Sequence, residues 1–362
     1  MKAAVLHEVG QPLVIEEIAI SKPRPREVLI RTAATGVCHS DLHFVEGLYP
    51  YQLPVVLGHE AAGVVEAVGS DVRYVQPGDH VITCLSAFCG HCDQCLTGHM
   101  SLCQSPELKR SEQEESRLSS NGALPVHQFM NLSSFAEQML VHEHALVKIR
   151  PDMPLDVAAL IGCAVTTGVG AVHNTAKVEL GSTVAVLGCG GIGLSCINGA
   201  TIAGAARIIA VDRIASKLEL ARRFGATDVV NPADGDIVKQ VRALTDGGVH
   251  YSFEAIGLKE TTENAFRMLR PGGTATVIGM IPVGTSIELH GPDFLREKKI
   301  QGSAMGSNRF RVDMPRYVDF YLAGKLRLDD LISRRIRLDQ VNEALAEMKT
   351  GEVARSVIVF EQ

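Results

Sequence analysis

The chain has 362 residues, 46% hydrophobic and 21% charged, with a net charge of −6 and a pI of about 6.1. Such a balance excludes a largely disordered chain, and the lack of a basic excess argues against nucleic acid or an anionic membrane as partner. The length exceeds the roughly 250–300 residues at which a single core divides, so two domains are expected. No uncharged apolar stretch is read as reaching the roughly 18 residues of a membrane span. An acidic residue, Glu8, comes too early for a signal-peptide core, so a cytoplasmic protein is expected.

In chain order, residues 1–150 carry short β-rich runs at 28–30, 62–68 and 80–83, with Pro77 and Gly78 marking a turn. Two stretches here offer metal ligands beside turn residues. One is residues 36–43, with Cys38, His39, Ser40, Asp41 and His43; the other is Gly58, His59 and Glu60. With Cys163, which follows Gly162, they suggest an open metal site, but scattered ligands do not prove one from a single sequence.

Nine cysteines, an odd number, argue against a disulfide framework and for thiolates as metal ligands. Cys89, Cys92, Cys95 and Cys103 fall within fifteen residues. Two successive two-residue gaps let one loop turn its sulfurs inward, and Cys103 can close a tetrahedron. Four thiolates with no vacant position suit structural zinc or an iron–sulfur cluster, and such a site holds a loop. The polar, charged segment 109–122 reads as an exposed loop or short surface helix.

From residue 181 the pattern changes. Strands are expected at 183–187, 207–211, 228–230, 249–253 and 274–278, alternating with helices near 194–203, 217–224, 237–244 and 260–269. This alternation implies a parallel, doubly wound sheet. Helices near 312–323 and 338–348 and a strand at 355–360 end the chain. Between the first strand and its helix lies a G-x-G-x-x-G turn: Gly188, Gly190, Gly191, Ile192 and Gly193, with Cys189 between the first two. Asp212 ends the next strand, 19 residues after Gly193. In this setting the glycines admit a pyrophosphate at the helix N-terminus, and the carboxylate binds ribose hydroxyls and favours NAD over NADP. Arg213 beside it pulls the other way, since an arginine can pair with a 2′-phosphate.

Taken together, these residues resemble the zinc-dependent alcohol dehydrogenases of the medium-chain dehydrogenase/reductase superfamily, over essentially the whole chain. The resemblance implies an α/β fold in which a Rossmann doubly wound parallel sheet (161–302) is inserted into a GroES-like β-rich catalytic domain (1–160 and 303–362). It implies two zinc ions per chain and NAD. Cys38, His59 and Cys163 would hold a catalytic zinc with Glu60 as outer or transient ligand, and Cys89, Cys92, Cys95 and Cys103 would hold a structural one. Asp41 would orient the ligand histidine. Ser40 would take the substrate proton and His43 would pass it on by way of the nicotinamide ribose. Thr167 would face the nicotinamide, Lys217 the adenosine ribose, and Arg355 the pyrophosphate.

His39 stands where many members carry arginine, which implies NADH binding that loosens as pH rises through histidine titration. The implied reaction is reversible oxidation of an alcohol to an aldehyde or ketone, with zinc as Lewis acid. Leu85 and Tyr49 would fall near the pocket and leave room for an aromatic or medium- to long-chain primary alcohol. A glutathione-dependent formaldehyde dehydrogenase is the alternative, with Arg110 as candidate for the glutathione carboxylate. A non-catalytic NAD(H)-binding protein is the more distant one. The family implies a homodimer or homotetramer, commonly joined through edge strands of the coenzyme domain, with residues 280–289 as candidate interface.

Overall fold

The strand Glu27–Val37 is eleven residues long and almost wholly buried, and it pairs on both edges along its length. Val, Ile, Leu and Thr dominate it, as a strand covered on both faces requires. The computed structural model describes residues 1–111, 114–120, 124–351 and 354–361. The described chain divides into two units: residues 1–163 with 309–362, and residues 164–308.

In the first unit a closed barrel is formed by Lys2–Leu6, Val14–Ile20, Leu118–Ser120, Leu124–Gln128 and Val55–Val56. A seven-stranded sheet runs in the order Leu146–Lys148, His80–Thr83, Glu60–Val68, Glu27–Val37, Ser356–Val359, Arg334–Ile336, with Gln138–His142 also on Glu27–Val37. The register sets Gly36 opposite Glu60 and Val37 opposite Ser356. Three strand ends therefore meet, and the residues just beyond them are Cys38, His59 and Arg355.

The second unit holds a six-stranded, wholly parallel sheet. Its order is Asp228–Val230, Arg207–Val211, Thr183–Leu187, Val249–Glu254, Leu269–Val277, Lys299–Gly302. In chain order that is 3-2-1-4-5-6, the doubly wound arrangement whose ligands sit at the strands' carboxyl ends.

Three expectations need correction. A helical segment, Leu155–Ala176, is long and apolar enough to cross a membrane, contrary to the reading that no such stretch exists. It is nearly all buried within the protein, as a core helix is. It runs as α-helix, π turn, α-helix and π turn, and close packing explains its glycines. A Cβ on Gly168 would lie 2.5 Å from the Ile192 carbonyl oxygen.

The segment 109–122 is not simply exposed. Arg110 and Arg117 turn inward onto Glu27, with Nε–Oε1 distances of 2.9 and 2.8 Å. Arg117 also donates to the Gln128 side chain, and Leu118–Ser120 is a barrel strand. Residues 112–113 and 121–122 of the segment lie outside the described residues. Lastly, residues 280–289 form no edge strand; the sheet ends on Asp228–Val230 and Lys299–Gly302.

Candidate active site and metal centres

Cys38 precedes a short helix, His39–Val45, whose third residue, Asp41, is completely buried. Asp41 ties two loops together. Its Oδ2 accepts from the Cys38 N–H at 2.9 Å, and its Oδ1 from the Gly58 N–H at 3.2 Å and His59 Nδ1 at 3.1 Å. A carboxylate only accepts, so Nδ1 carries the proton and the lone pair of His59 lies on Nε2. That Nε2 is buried with no hydrogen-bond partner. It points to the sulfurs of Cys38 and Cys163, and the three ligand atoms lie within 4.8 Å of one another. Two thiols and an orphaned imidazole nitrogen, all buried, are a donor set that a zinc ion would satisfy.

The surrounding charges suit a divalent cation held by sulfur. Hydrogen bonding to Cys163 holds the Cys38 thiol well below its usual range against the effect of burial, with Arg355 and His59 adding to it. The same hydrogen bond and burial raise Cys163. Burial opposes charge on His59, while the Asp41 carboxylate on Nδ1 makes the imidazole more basic and so a stronger donor through Nε2. Glu60 is completely buried. Its Oε1 accepts from Arg355 Nε at 3.2 Å, while its Oε2 has no partner. Burial pushes the Glu60 carboxyl up to about 7, with Arg355 opposing.

Arg355 is buried. Besides Glu60, its Nη2 lies 3.5 Å from Cys38 Sγ. Sequence reasoning expected Arg355 on a pyrophosphate and did not see it under the metal ligands, because 295 residues separate it from Glu60.

Ser40 and His43, three apart on the His39–Val45 helix, share one face. The Ser40 hydroxyl lies 3.2 Å from Cys38 Sγ. The His43 ring stacks on Tyr49, with centroids 6.3 Å apart, and meets the His39 ring edge-on at the same distance. Phe129 packs edge-on against His59 at 5.7 Å and against Phe44 and Tyr51. Phe129 went unnoticed in the sequence, where nothing marks it as a neighbour of a residue 70 positions away. Leu85 packs partly buried against the core of its unit.

The four-cysteine loop closes as the spacing suggests. The sulfurs of Cys89, Cys92, Cys95 and Cys103 lie within 4.8 Å of one another, and none is in a disulfide. Backbone N–H groups of His91 and Cys92 point at Cys89 Sγ at 3.5 and 3.3 Å. All four positions are sulfur, so the fit is to a closed zinc site.

In the second unit the strand Thr183–Leu187 delivers the glycine turn to the helix Gly191–Ile202, capped by Gly190. A Cβ on Gly193 would fall 1.7 Å from the Gly188 carbonyl oxygen, so only glycine lets helix and turn meet. Asp212 braces the turn: Oδ2 accepts from the Cys189 N–H at 2.8 Å and Oδ1 from the Ile214 N–H at 3.0 Å. Arg213 is exposed, and Lys217 stands half-exposed on the next helix, Ala215–Arg223. Thr167 is buried, its hydroxyl 3.3 Å from Met305 Sδ.

Residues 24–152 match the family described as alcohol dehydrogenase GroES-like domain, and residues 191–322 match that described as zinc-binding dehydrogenase. The S-(hydroxymethyl)glutathione dehydrogenase of Photobacterium damsela subsp. piscicida is 41% identical, over 99% of each chain. This chain belongs to the zinc-dependent alcohol dehydrogenases of the medium-chain dehydrogenase/reductase superfamily. Solved structures agree with it at full length. A zinc-binding alcohol dehydrogenase domain protein from Burkholderia ambifaria superposes with a TM-score of 0.96 at 36% identity, covering 100% of this chain and 99% of the other. The benzyl alcohol dehydrogenase of Acinetobacter calcoaceticus does so at 0.94 and 34%, covering 99% of each. The GroES-like and Rossmann architecture and the dependence on zinc and NAD, expected from the resemblance, thus stand.

Proposed function

We propose that this alcohol dehydrogenase oxidises a bulky primary alcohol, aromatic or of medium to long chain, to its aldehyde, reversibly and with NAD. The carrying observation is the apolar surface beside His43. Tyr49 stacks on the imidazole, and Leu48 and Tyr51 next to it are 43% and 40% exposed. An aromatic surface of this kind offers a flat alcohol stacking and edge contacts worth roughly 0.5–1.5 kcal/mol each beyond area burial. The structural likeness to a benzyl alcohol dehydrogenase supports the same reading.

Cys38, His59 and Cys163 hold zinc, which when bound supplies a Lewis acid that lets an alcohol hydroxyl lose its proton near neutral pH. The chain's own part is to receive that proton and carry it away. Ser40 Oγ accepts it and His43 relays it. Burial lowers the His43 pKa and so favours the neutral ring, and its buried Nδ1 has no hydrogen-bond partner. Asp41 holds His59 and Cys38 in place throughout, and Glu60 stands by as an outer carboxylate. Gly188, Gly190, Gly191, Ile192, Gly193, Asp212 and Lys217 bind the coenzyme, with Thr167 and Arg213 in the same unit, while Arg355 stays committed to Glu60 and Cys38.

The relative named for S-(hydroxymethyl)glutathione favours the alternative substrate. Arg110, the cation expected to grip a glutathione carboxylate, is instead committed to Glu27 and is 7% exposed. A panel of benzyl alcohol, hexanol, ethanol and S-(hydroxymethyl)glutathione with NAD separates the readings. Benzyl alcohol or hexanol is expected to exceed ethanol in kcat/KM by about tenfold or more, equivalent to about 1.4 kcal/mol. A glutathione adduct turned over faster than either contradicts the proposal. The chain is also expected to form a homodimer or homotetramer. Val283, 74% exposed on the apolar stretch of residues 280–289, supports that surface as the contact, and a monomeric mass by light scattering would reject it.

A further inference from the structure

The closed four-cysteine site raises a question of access. A zinc ion held by four protein sulfurs has no open position, and Cys89 is only 6% exposed, so an ion enters or leaves by exchanging ligands one after another. A second donor set lies beside the first. The Cys89 sulfur, a ring nitrogen of His91 and a carboxylate oxygen of Glu107 lie within 4.8 Å of one another. Cys89 thus belongs to two sets at once, a sulfur set with Cys92, Cys95 and Cys103 and a mixed set with His91 and Glu107.

Local structure puts the mixed set at the surface. Residues 89–92 turn tightly: Gly90 takes a φ of +90°, and the N–H groups of His91 and Cys92 aim at Cys89 Sγ. The sulfur is drawn in, and the His91 side chain is left 67% exposed. Glu107 is the middle residue of the short turn Pro106–Leu108. Leu108 anchors that turn in the core of its unit, and the Glu107 carboxylate stays in contact with water. His91 Nε2 and Glu107 Oε2 meet at 2.9 Å. An exposed pair of this kind adds little to stability. An imidazole and a carboxylate beside a thiolate are, however, donors that zinc accepts, and these two stand where a hydrated cation arrives.

We propose that Cys89, His91 and Glu107 form a loading port for the structural zinc, a second divalent-cation site that shares the Cys89 sulfur with the closed one. The proposal rests on zinc at the four cysteines. An arriving hydrated ion sheds water as it bonds to Cys89, His91 and Glu107, and the proton between His91 and Glu107 passes to solvent. The bonds to His91 and Glu107 then break as Cys92, Cys95 and Cys103 replace them, each thiol losing its proton to solvent, while the bond to Cys89 is kept. The same steps in reverse release the ion. At rest the ion lies on the four sulfurs, the softer and more complete donor set.

The test is exchange of isotopically labelled zinc into the full-length Cys38→Ala chain, whose remaining ion is expected on the four-cysteine loop. Label is read by mass spectrometry of the desalted protein, and zinc affinity by chelator competition on the same samples. With His91 and Glu107 in place, the exchange rate should climb with added zinc and level off as the port fills. His91→Ala and Glu107→Gln should each slow exchange by about tenfold or more while affinity stays within about twofold, because a pathway changes both rates and leaves the equilibrium where it was. Both side chains are exposed, so the fold should tolerate either change. His91→Lys separates the port from a merely structural ion pair. Lysine can still pair with Glu107 but as an ammonium has no lone pair for zinc, so exchange should be as slow as in the alanine variant. Fast exchange with lysine, a rate independent of added zinc, or alanine and glutamine variants that exchange as fast as the parent would each overturn the proposal. If the Cys38→Ala chain carries no zinc, the closed site itself falls and the port with it.

Discussion

Replacing Cys38 with alanine abolishes alcohol oxidation while leaving a folded chain that binds NADH. Cys38 supplies one of three ligand atoms that lie within 4.8 Å of one another, and the other two, from His59 and Cys163, cannot close a site alone. The Lewis acid contributes several kcal/mol to the reaction, so kcat is expected to fall by about a thousandfold or more. The fold should tolerate the change. Cys38 is a small buried side chain at a strand end, and the glycine turn at 188–193, proposed for the coenzyme, is built from the other unit, residues 164–308. Steady-state kinetics with the best alcohol of the panel, beside NADH titration, checks both halves. Turnover within tenfold of wild type would remove Cys38 from the ligand set.

Glu27→Ala should be the most destabilising single substitution outside the metal sites. Glu27 is 4% exposed and takes charge-assisted hydrogen bonds from two guanidiniums that are themselves almost buried, on Arg110 and Arg117. Removing the carboxylate strands two cations away from water, and breaking a buried pair costs about 3–5 kcal/mol. Burial pushes the Glu27 carboxyl up, but hydrogen bonding to Arg110 and the charge of Arg117 outweigh it and hold the pKa at about 2 instead of 4.5. The folded value lies below the unfolded one. The contribution is therefore complete above about pH 4.5 and is lost as pH falls toward 2. Denaturant unfolding at pH 7 and pH 3 should show a large difference between wild type and Glu27→Ala at the first and a smaller one at the second. An equal difference at both would mean that the ionised cluster is not what stabilises the barrel.

How much was legible in the sequence depended on how local the determinants are. The coenzyme half is built from consecutive strands and helices, so alternation and one turn described it closely; the helix expected at 217–224 is found at Ala215–Arg223. The four-cysteine loop is local as well. The catalytic ligands are not, and residues 36–43, 58–60 and 162–163 became a site only through the family resemblance. What brings them together is register: Gly36 opposite Glu60, and Val37 opposite Ser356. The helix Leu155–Ala176 escaped notice because its glycines, valines and threonines are poor helix formers, and tertiary packing overrides that weak preference. Segment 109–122 was misjudged for a related reason. Arginine reads as surface until a buried carboxylate is known to face it, and Glu27 lies 83 residues from Arg110.

Zinc counted per chain by native mass spectrometry, on the wild type and on Cys38→Ala, bears most directly on the enzyme's chemistry. Two ions on the wild type and one on the variant are expected, the survivor held by Cys89, Cys92, Cys95 and Cys103. A single ion on both proteins would contradict a metal centre at Cys38, His59 and Cys163.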